Sequence, residues 1–159
     1  MSDRECILVV DDEVGPRESL RFILKSRYEI FTAVDGLEAL RILHDRDIDL
    51  VTLDLNMPGL SGINVLKKIK ELRPETEVII ITGYGNLANA QEAIRYGAGN
   101  FVSKPFNVAE IITIVSKCFE MRRYNFKIKT LIEKMKALKT VATNLEKNTN
   151  LEYGEPEQA

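Results

Sequence analysis

Along the first two-thirds of the chain, short apolar runs alternate with amphipathic stretches. Cys6–Val10, Tyr28–Val34, Leu50–Leu53, Glu77–Ile81 and Asn100–Ser103 are runs of apolar or β-branched residues bounded by acidic or turn residues. Such runs predict strands, with Cys6–Val10 and Leu50–Leu53 reading as buried ones. Leu20, Ile23 and Leu24, with Phe22 alongside, predict the apolar face of a helix that has Pro16 in its first turn and reaches about Arg27. Asp35-Gly36 reads as a turn pair, after which Leu37, Leu40 and Leu43 mark a helix to about His44. Ile63, Leu66 and Ile69 face inward from a helix over 61–72, which Pro74 closes off. Leu87 to about Tyr96 is a fourth helix with Gly97 as its C-cap. Asn107, with Glu110 three residues on, opens a fifth. Strand then helix, five times over, implies a doubly wound α/β fold, a parallel sheet covered by helices on both faces.

The last element breaks the scale. Met121, Tyr124, Ile128, Leu131, Met135, Leu138, Ala142 and Leu145 recur at alternating spacings of 3 and 4, the seam of a coiled coil. No Gly or Pro interrupts 107–150. A helix continuous to Lys147 is about 60 Å long, more than one small sheet can cover. The expected organisation is a globular domain over 5–120, a helical extension over 121–148 and a polar, disordered tail over 149–159. The extension is expected to pair with a second copy of the chain; folding back on its own domain is the alternative. A parallel pair would set Lys134 against Lys139 of the other copy, and Ile132 and Val141 widen the stripe, so an antiparallel pair stays open.

Composition changes this picture little. With 159 residues, 45% hydrophobic and 29% charged, the chain suits one core-forming domain with an appendage, and the net charge of −2 selects no partner. No apolar run approaches 18 residues, and Met-Ser-Asp-Arg-Glu opens without an apolar signal core, so a cytoplasmic protein without a membrane partner is expected. Cys6 and Cys118 fit no metal or disulfide spacing and read as packing residues. His44 reads as a solvated helix-end residue.

The chemistry lies where the strands stop. The run Asp49-Leu-Val-Thr-Leu-Asp-Leu-Asn-Met-Pro-Gly59 places Asp54 at a strand end, where open α/β sheets bind ligands. The other strand ends display Asp11 and Asp12, Thr82, and Lys104. Three converging carboxylates repel one another, and a hard divalent cation such as Mg²⁺ removes the conflict. The plain alternative, each Asp capping the following helix, suits one acid better than three with a hydroxyl and an amine. An Asp carboxylate can attack phosphorus, given a metal and a cation for the phosphoryl charge. No Ser or Cys nucleophile has a His base, and neither a Walker-type phosphate loop nor a Gly-x-Gly-x-x-Gly fingerprint is present.

The set Val-Val-Asp11-Asp12, Leu-Asp54-Leu-Asn-Met-Pro58-Gly59, Thr82-Gly and Lys104-Pro105 resembles the receiver domain of two-component response regulators, over residues 5 to about 120. The resemblance implies a five-stranded parallel sheet of flavodoxin-like order 2-1-3-4-5. It implies Asp54 as phosphoacceptor, and Mg²⁺ held by Asp12, Asp54 and the Asn56 backbone carbonyl, with Asp11 acting through water. Thr82 and Lys104 would contact the phosphoryl group, and Lys104-Pro105 would be a cis peptide. It also implies a switch in which Thr82 moves and Phe101 turns inward, and it ties phosphoryl lifetime to Asn56 and Tyr84. The implied donor is a histidine kinase or a histidine phosphotransfer protein. No turnover enzyme is expected: a haloacid-dehalogenase-type phosphatase wants an acid two residues after its nucleophile, where this chain has the neutral Asn56. A flavodoxin-like module that never takes phosphate is disfavoured because every chemical position is filled. Residues 121–147 carry eight Lys or Arg against two Glu. These scatter around the helix and read as a solvated surface rather than a nucleic-acid interface.

Overall fold

The computed structural model describes residues 4–83 and 87–152. Five strands, β1 (Cys6–Val10), β2 (Glu29–Ala33), β3 (Leu50–Leu53), β4 (Glu77–Thr82) and β5 (Asn100–Ser103), alternate with five helices. The helices are α1 (Val14–Leu24), α2 (Gly36–Asp45), α3 (Gly62–Leu72), α4 (Leu87–Arg95) and α5 (Val108–Glu152). All neighbouring strands are parallel, in the order β2-β1-β3-β4-β5. The three central strands bury almost every side chain: Ile7 to Val10, Leu50 to Leu53 and Val78 to Ile81 are each at most 2% exposed. That is why they read as continuous apolar runs rather than as alternating ones.

Several helix ends have a local cause. Asp35 accepts from the Glu38 N–H at 2.8 Å, Ser61 from Asn64 at 3.3 Å and Asn107 from Glu110 at 2.7 Å, so all three side chains satisfy otherwise orphaned donors. Gly97, at φ +97°, ends α4 in a Schellman motif: its N–H donates to Ile94 O and that of Ala98 to Ala93 O. α2 departs from expectation. It begins at Gly36, and the face it buries is Gly36, Ala39 and Leu43, whereas Leu37 is 62% exposed. The small residues bring the helix close to its neighbours, and the larger Leu37 sits one position off that face. α1 stops at Leu24, short of Arg27.

Two compact units divide at Cys118/Phe119. Within the first, α5 contributes the buried Ile111, Val115 and Cys118. In the second, the helix continues to Glu152, so residues 149–152, expected in a disordered tail, are helical; the rest of that tail lies outside the described residues. The seam side chains Met121, Tyr124, Leu131, Met135, Leu138 and Leu145 are all exposed. Among the described residues no helix is long and apolar enough to cross a membrane.

Candidate functional site

The sheet order decides which strand ends meet. β1 and β3 are neighbours, with Val10 opposite Leu53, and the ladder continues one residue further through Asp11 N–H to Ala33 O and Asp54 N–H to Val10 O. Asp11 and Asp54 therefore emerge side by side on one face, and both are buried, at 1% and 3% exposure. On the far side of β4, the Lys104 N–H donates to Thr82 O, and the Lys104-Pro105 peptide that follows is cis. Its ammonium lies 2.7 Å from Asp11 Oδ2, 2.9 Å from Asp54 Oδ2 and 3.4 Å from Glu13 Oε1.

Backbone groups hold the carboxylates from behind. The Glu13 N–H donates to Asp11 Oδ1 at 2.9 Å, and the Asn56 N–H to Asp54 Oδ1 at 3.0 Å. Arg17 reaches back from α1 to the Asp11 carbonyl at 2.8 Å, fixing the β1–α1 loop. Asn56 Nδ2 donates to the Thr82 hydroxyl at 3.1 Å, and Thr82 is fully buried. Phe101 is half-buried against the main core and lies on the face of the sheet that also carries Thr82.

The electrostatics are unbalanced. Burial pushes the Asp11 carboxyl above its ordinary range, and the pull of Lys104 does not fully offset this. Burial alone would lower the Lys104 ammonium, but its bonds to Asp11 and Asp54 outweigh that and hold it above the usual lysine range. Asp11, Asp12, Glu13 and Asp54 bring carboxylate oxygens within 4.8 Å of one another, and all but Asp12 contact this ammonium. Asp12 Oδ1 is buried with no hydrogen-bond partner among the described residues. An all-oxygen set with surplus negative charge and an unsatisfied buried oxygen fits a hard divalent cation.

This imbalance has a measurable consequence. Asp12→Asn removes one mutually repelling charge and is expected to stabilise the metal-free protein by about 1–2 kcal/mol. Urea unfolding in EDTA checks this. Adding millimolar Mg²⁺ should stabilise wild type and leave the variant nearly unmoved, because a ligand of the native state raises stability only where its site is intact.

The structure brings together Asp11, Asp12, Asp54, Asn56, Thr82 and Lys104, all named from sequence. Tyr84 lies outside the described residues. His44 is exposed beside Asp45, away from the cluster, and Cys6 and Cys118 are free thiols. Sequence reasoning missed Glu13, although it completes the run Asp11-Asp12-Glu13. As N-cap of α1 its side chain accepts no capping bond, which leaves the carboxylate available to Lys104.

Comparison with known proteins agrees with this geometry. The model of the response regulator receiver domain matches residues 7–116. Sporulation initiation phosphotransferase F of Bacillus subtilis is 40% identical over 119 residues, covering 74% of this chain and 96% of that protein. Regulatory protein AtoC of Escherichia coli is 35% identical over 127 residues, covering 79% of this chain and 27% of AtoC. The crystal structure of the receiver domain of NtrX from Brucella abortus superposes with a TM-score of 0.68 at 41% identity, covering 72% of this chain and 98% of that one. Strand order, buried acids, the lysine that follows β5 and the sequence match together place this chain in the family of response regulator receiver domains of two-component systems.

Proposed function

We propose that Asp54 accepts a phosphoryl group from the phosphohistidine of a histidine kinase or histidine phosphotransfer protein. The observation that carries this is the Lys104 ammonium bridging Asp11 Oδ2 and Asp54 Oδ2 at 2.7 and 2.9 Å. It sets a fixed positive charge beside the Asp54 side chain, where it can balance phosphoryl oxygens. Asp11, Asp12, Asp54 and the Asn56 backbone carbonyl are the residues that would hold Mg²⁺. The ion would supply neutralisation of phosphoryl charge. Asp54 Oδ2 attacks phosphorus, the phosphohistidine nitrogen leaves, Lys104 holds one phosphoryl oxygen and the Thr82 hydroxyl donates to another. The protein ends each event carrying the group rather than releasing a product, which is signalling and not turnover of an external substrate.

The added charge of about −2 biases the face formed by α4, β5 and α5 through Thr82 and Phe101. The exposed seam of Met121, Tyr124, Ile128, Leu131, Met135, Leu138, Ala142 and Leu145 pairs with a second copy in the cytoplasm, and phosphorylation alters that pairing. No membrane or nucleic acid takes part through this chain.

Incubation with acetyl phosphate and Mg²⁺ tests the chemistry. Wild type should gain the mass of one phosphoryl group, mapped to Asp54 after borohydride reduction, and EDTA should prevent the gain. An unchanged mass, or label on another residue, would sink the reading. Sedimentation tests the pairing: Leu131→Lys combined with Leu138→Lys puts charge into two seam layers, one on either side of Met135, and should convert a dimer to monomer at micromolar concentration. A wild-type chain that sediments as a monomer with and without phosphorylation would remove that part.

A further inference from the structure

Asn56 touches two of the reactive groups at once. Its backbone N–H binds Asp54 Oδ1 at 3.0 Å, and its side-chain amide binds the Thr82 hydroxyl at 3.1 Å. Thr82 closes β4 and is fully buried, whereas Asn56 sits exposed on the loop after β3. The hydroxyl on one strand is therefore tethered to the loop that carries the acceptor acid on the next.

We propose that the Asn56 side-chain amide is a latch that holds Thr82 in its resting position, and that a phosphoryl group on Asp54 opens it. This rests on the phosphoacceptor reading of Asp54. The bond from amide to hydroxyl joins two neutral groups. A phosphoryl group brings three strong acceptor oxygens and about −2 charge. Hydrogen bonds to a charged acceptor are roughly twice as strong as neutral ones. The Thr82 O–H and the Asn56 N–H each gain more from a phosphoryl oxygen than from each other, so the tether exchanges for two charge-assisted bonds. Phe101 pairs with Ile80, two residues before Thr82 on the same strand, and so shares the sheet face from which the released Thr82 side chain projects. It is the aromatic placed to respond when Thr82 moves.

The latch is a local bond at a half-open site, so its loss should raise the released population by about fivefold. Methyl-labelled threonine NMR on the full chain reads this directly. In wild type, Mg²⁺ with beryllofluoride should move the Thr82 methyl resonance and so define a line from resting to released. Asn56→Ala without beryllofluoride should already lie partway along that line. Asn56→Asp retains a tether, with the hydroxyl now donating to a carboxylate, and should stay at the resting end. Asn56→Ala at the resting position, or Asn56→Asp displaced as far as Asn56→Ala, would overturn the latch. A wild type that ignores beryllofluoride with Mg²⁺ would overturn the phosphoacceptor reading itself. A responsive wild type beside an unmoved Asn56→Ala would remove only the latch.

Discussion

Gly62→Ala should cost about 3 kcal/mol of stability, the upper end for forcing atoms into a packed site. A Cβ at Gly62 would run into Leu55 Cα and lie 2.7 Å from Asp54 O and 3.0 Å from Leu55 C. All three are backbone atoms, so no side chain can swing aside. The first turn of α3, whose Gly62 N–H donates to Leu55 O, would have to lift off the loop that follows β3. Asp54 would move with it, so the stabilisation by Mg²⁺ should fall together with the melting temperature. Gly36→Ala makes the contrast. There the added Cβ meets Val65 Cγ2, the end of a side chain, and Val65→Ala in the same protein should recover most of the loss. No companion substitution should rescue Gly62→Ala. Denaturant unfolding of the three variants with and without Mg²⁺ checks both statements, and a Gly62→Ala protein within 1 kcal/mol of wild type would contradict them.

Gly62 also illustrates what a linear sequence hides. The fold was legible because burial on both sides of a parallel sheet writes itself as unbroken apolar runs, and Leu50–Leu53 and Val78–Ile81 are such runs. The chemistry was legible because it sits where each run stops, at Asp11, Asp54, Thr82 and Lys104. What stayed hidden depends on approach between elements distant in sequence. Nothing in Ser-Gly-Ile announces that the glycine touches the Asp54 peptide, and nothing in Asn56 announces an amide turned toward Thr82. In α2 the apolar spacing marks Leu37, Leu40 and Leu43, of which Leu40 and Leu43 pack inward, whereas Leu37 stays exposed and the small Gly36 and Ala39 complete the buried face. The end of α5 was misplaced because Asn148, Thr149 and Asn150 are weak helix formers, and propensity yields to a helix already propagating through them.

Lys104→Met offers the sharpest test of the charge balance at the strand ends. The methionine keeps most of the stem and removes the ammonium that bridges Asp11 and Asp54. Two buried carboxylates then face each other without a cation, and breaking a buried pair from one side costs about 3–5 kcal/mol. The metal-free variant should lose about 3 kcal/mol near neutral pH. Acid should restore it. Burial already holds the Asp11 carboxyl above its ordinary range, and Lys104 is among the groups that pull it back down. Without Lys104 its folded pKa rises further above the unfolded value. A group raised in that way contributes stability that is fully present below the unfolded pKa and is lost as pH rises through the folded one. The deficit should therefore be small near pH 4 and grow toward pH 7. Mg²⁺ should narrow it too, since the ion and the ammonium compete for the same oxygens. With the ammonium gone the variant should bind Mg²⁺ about tenfold more tightly or better, even as it loses most phosphoryl uptake for want of the cation that balances the transferred group. Calorimetric Mg²⁺ titration and denaturation across pH 4–7 measure these effects. Equal Mg²⁺ affinity in the two proteins would mean that Lys104 does not guard the metal-binding oxygens.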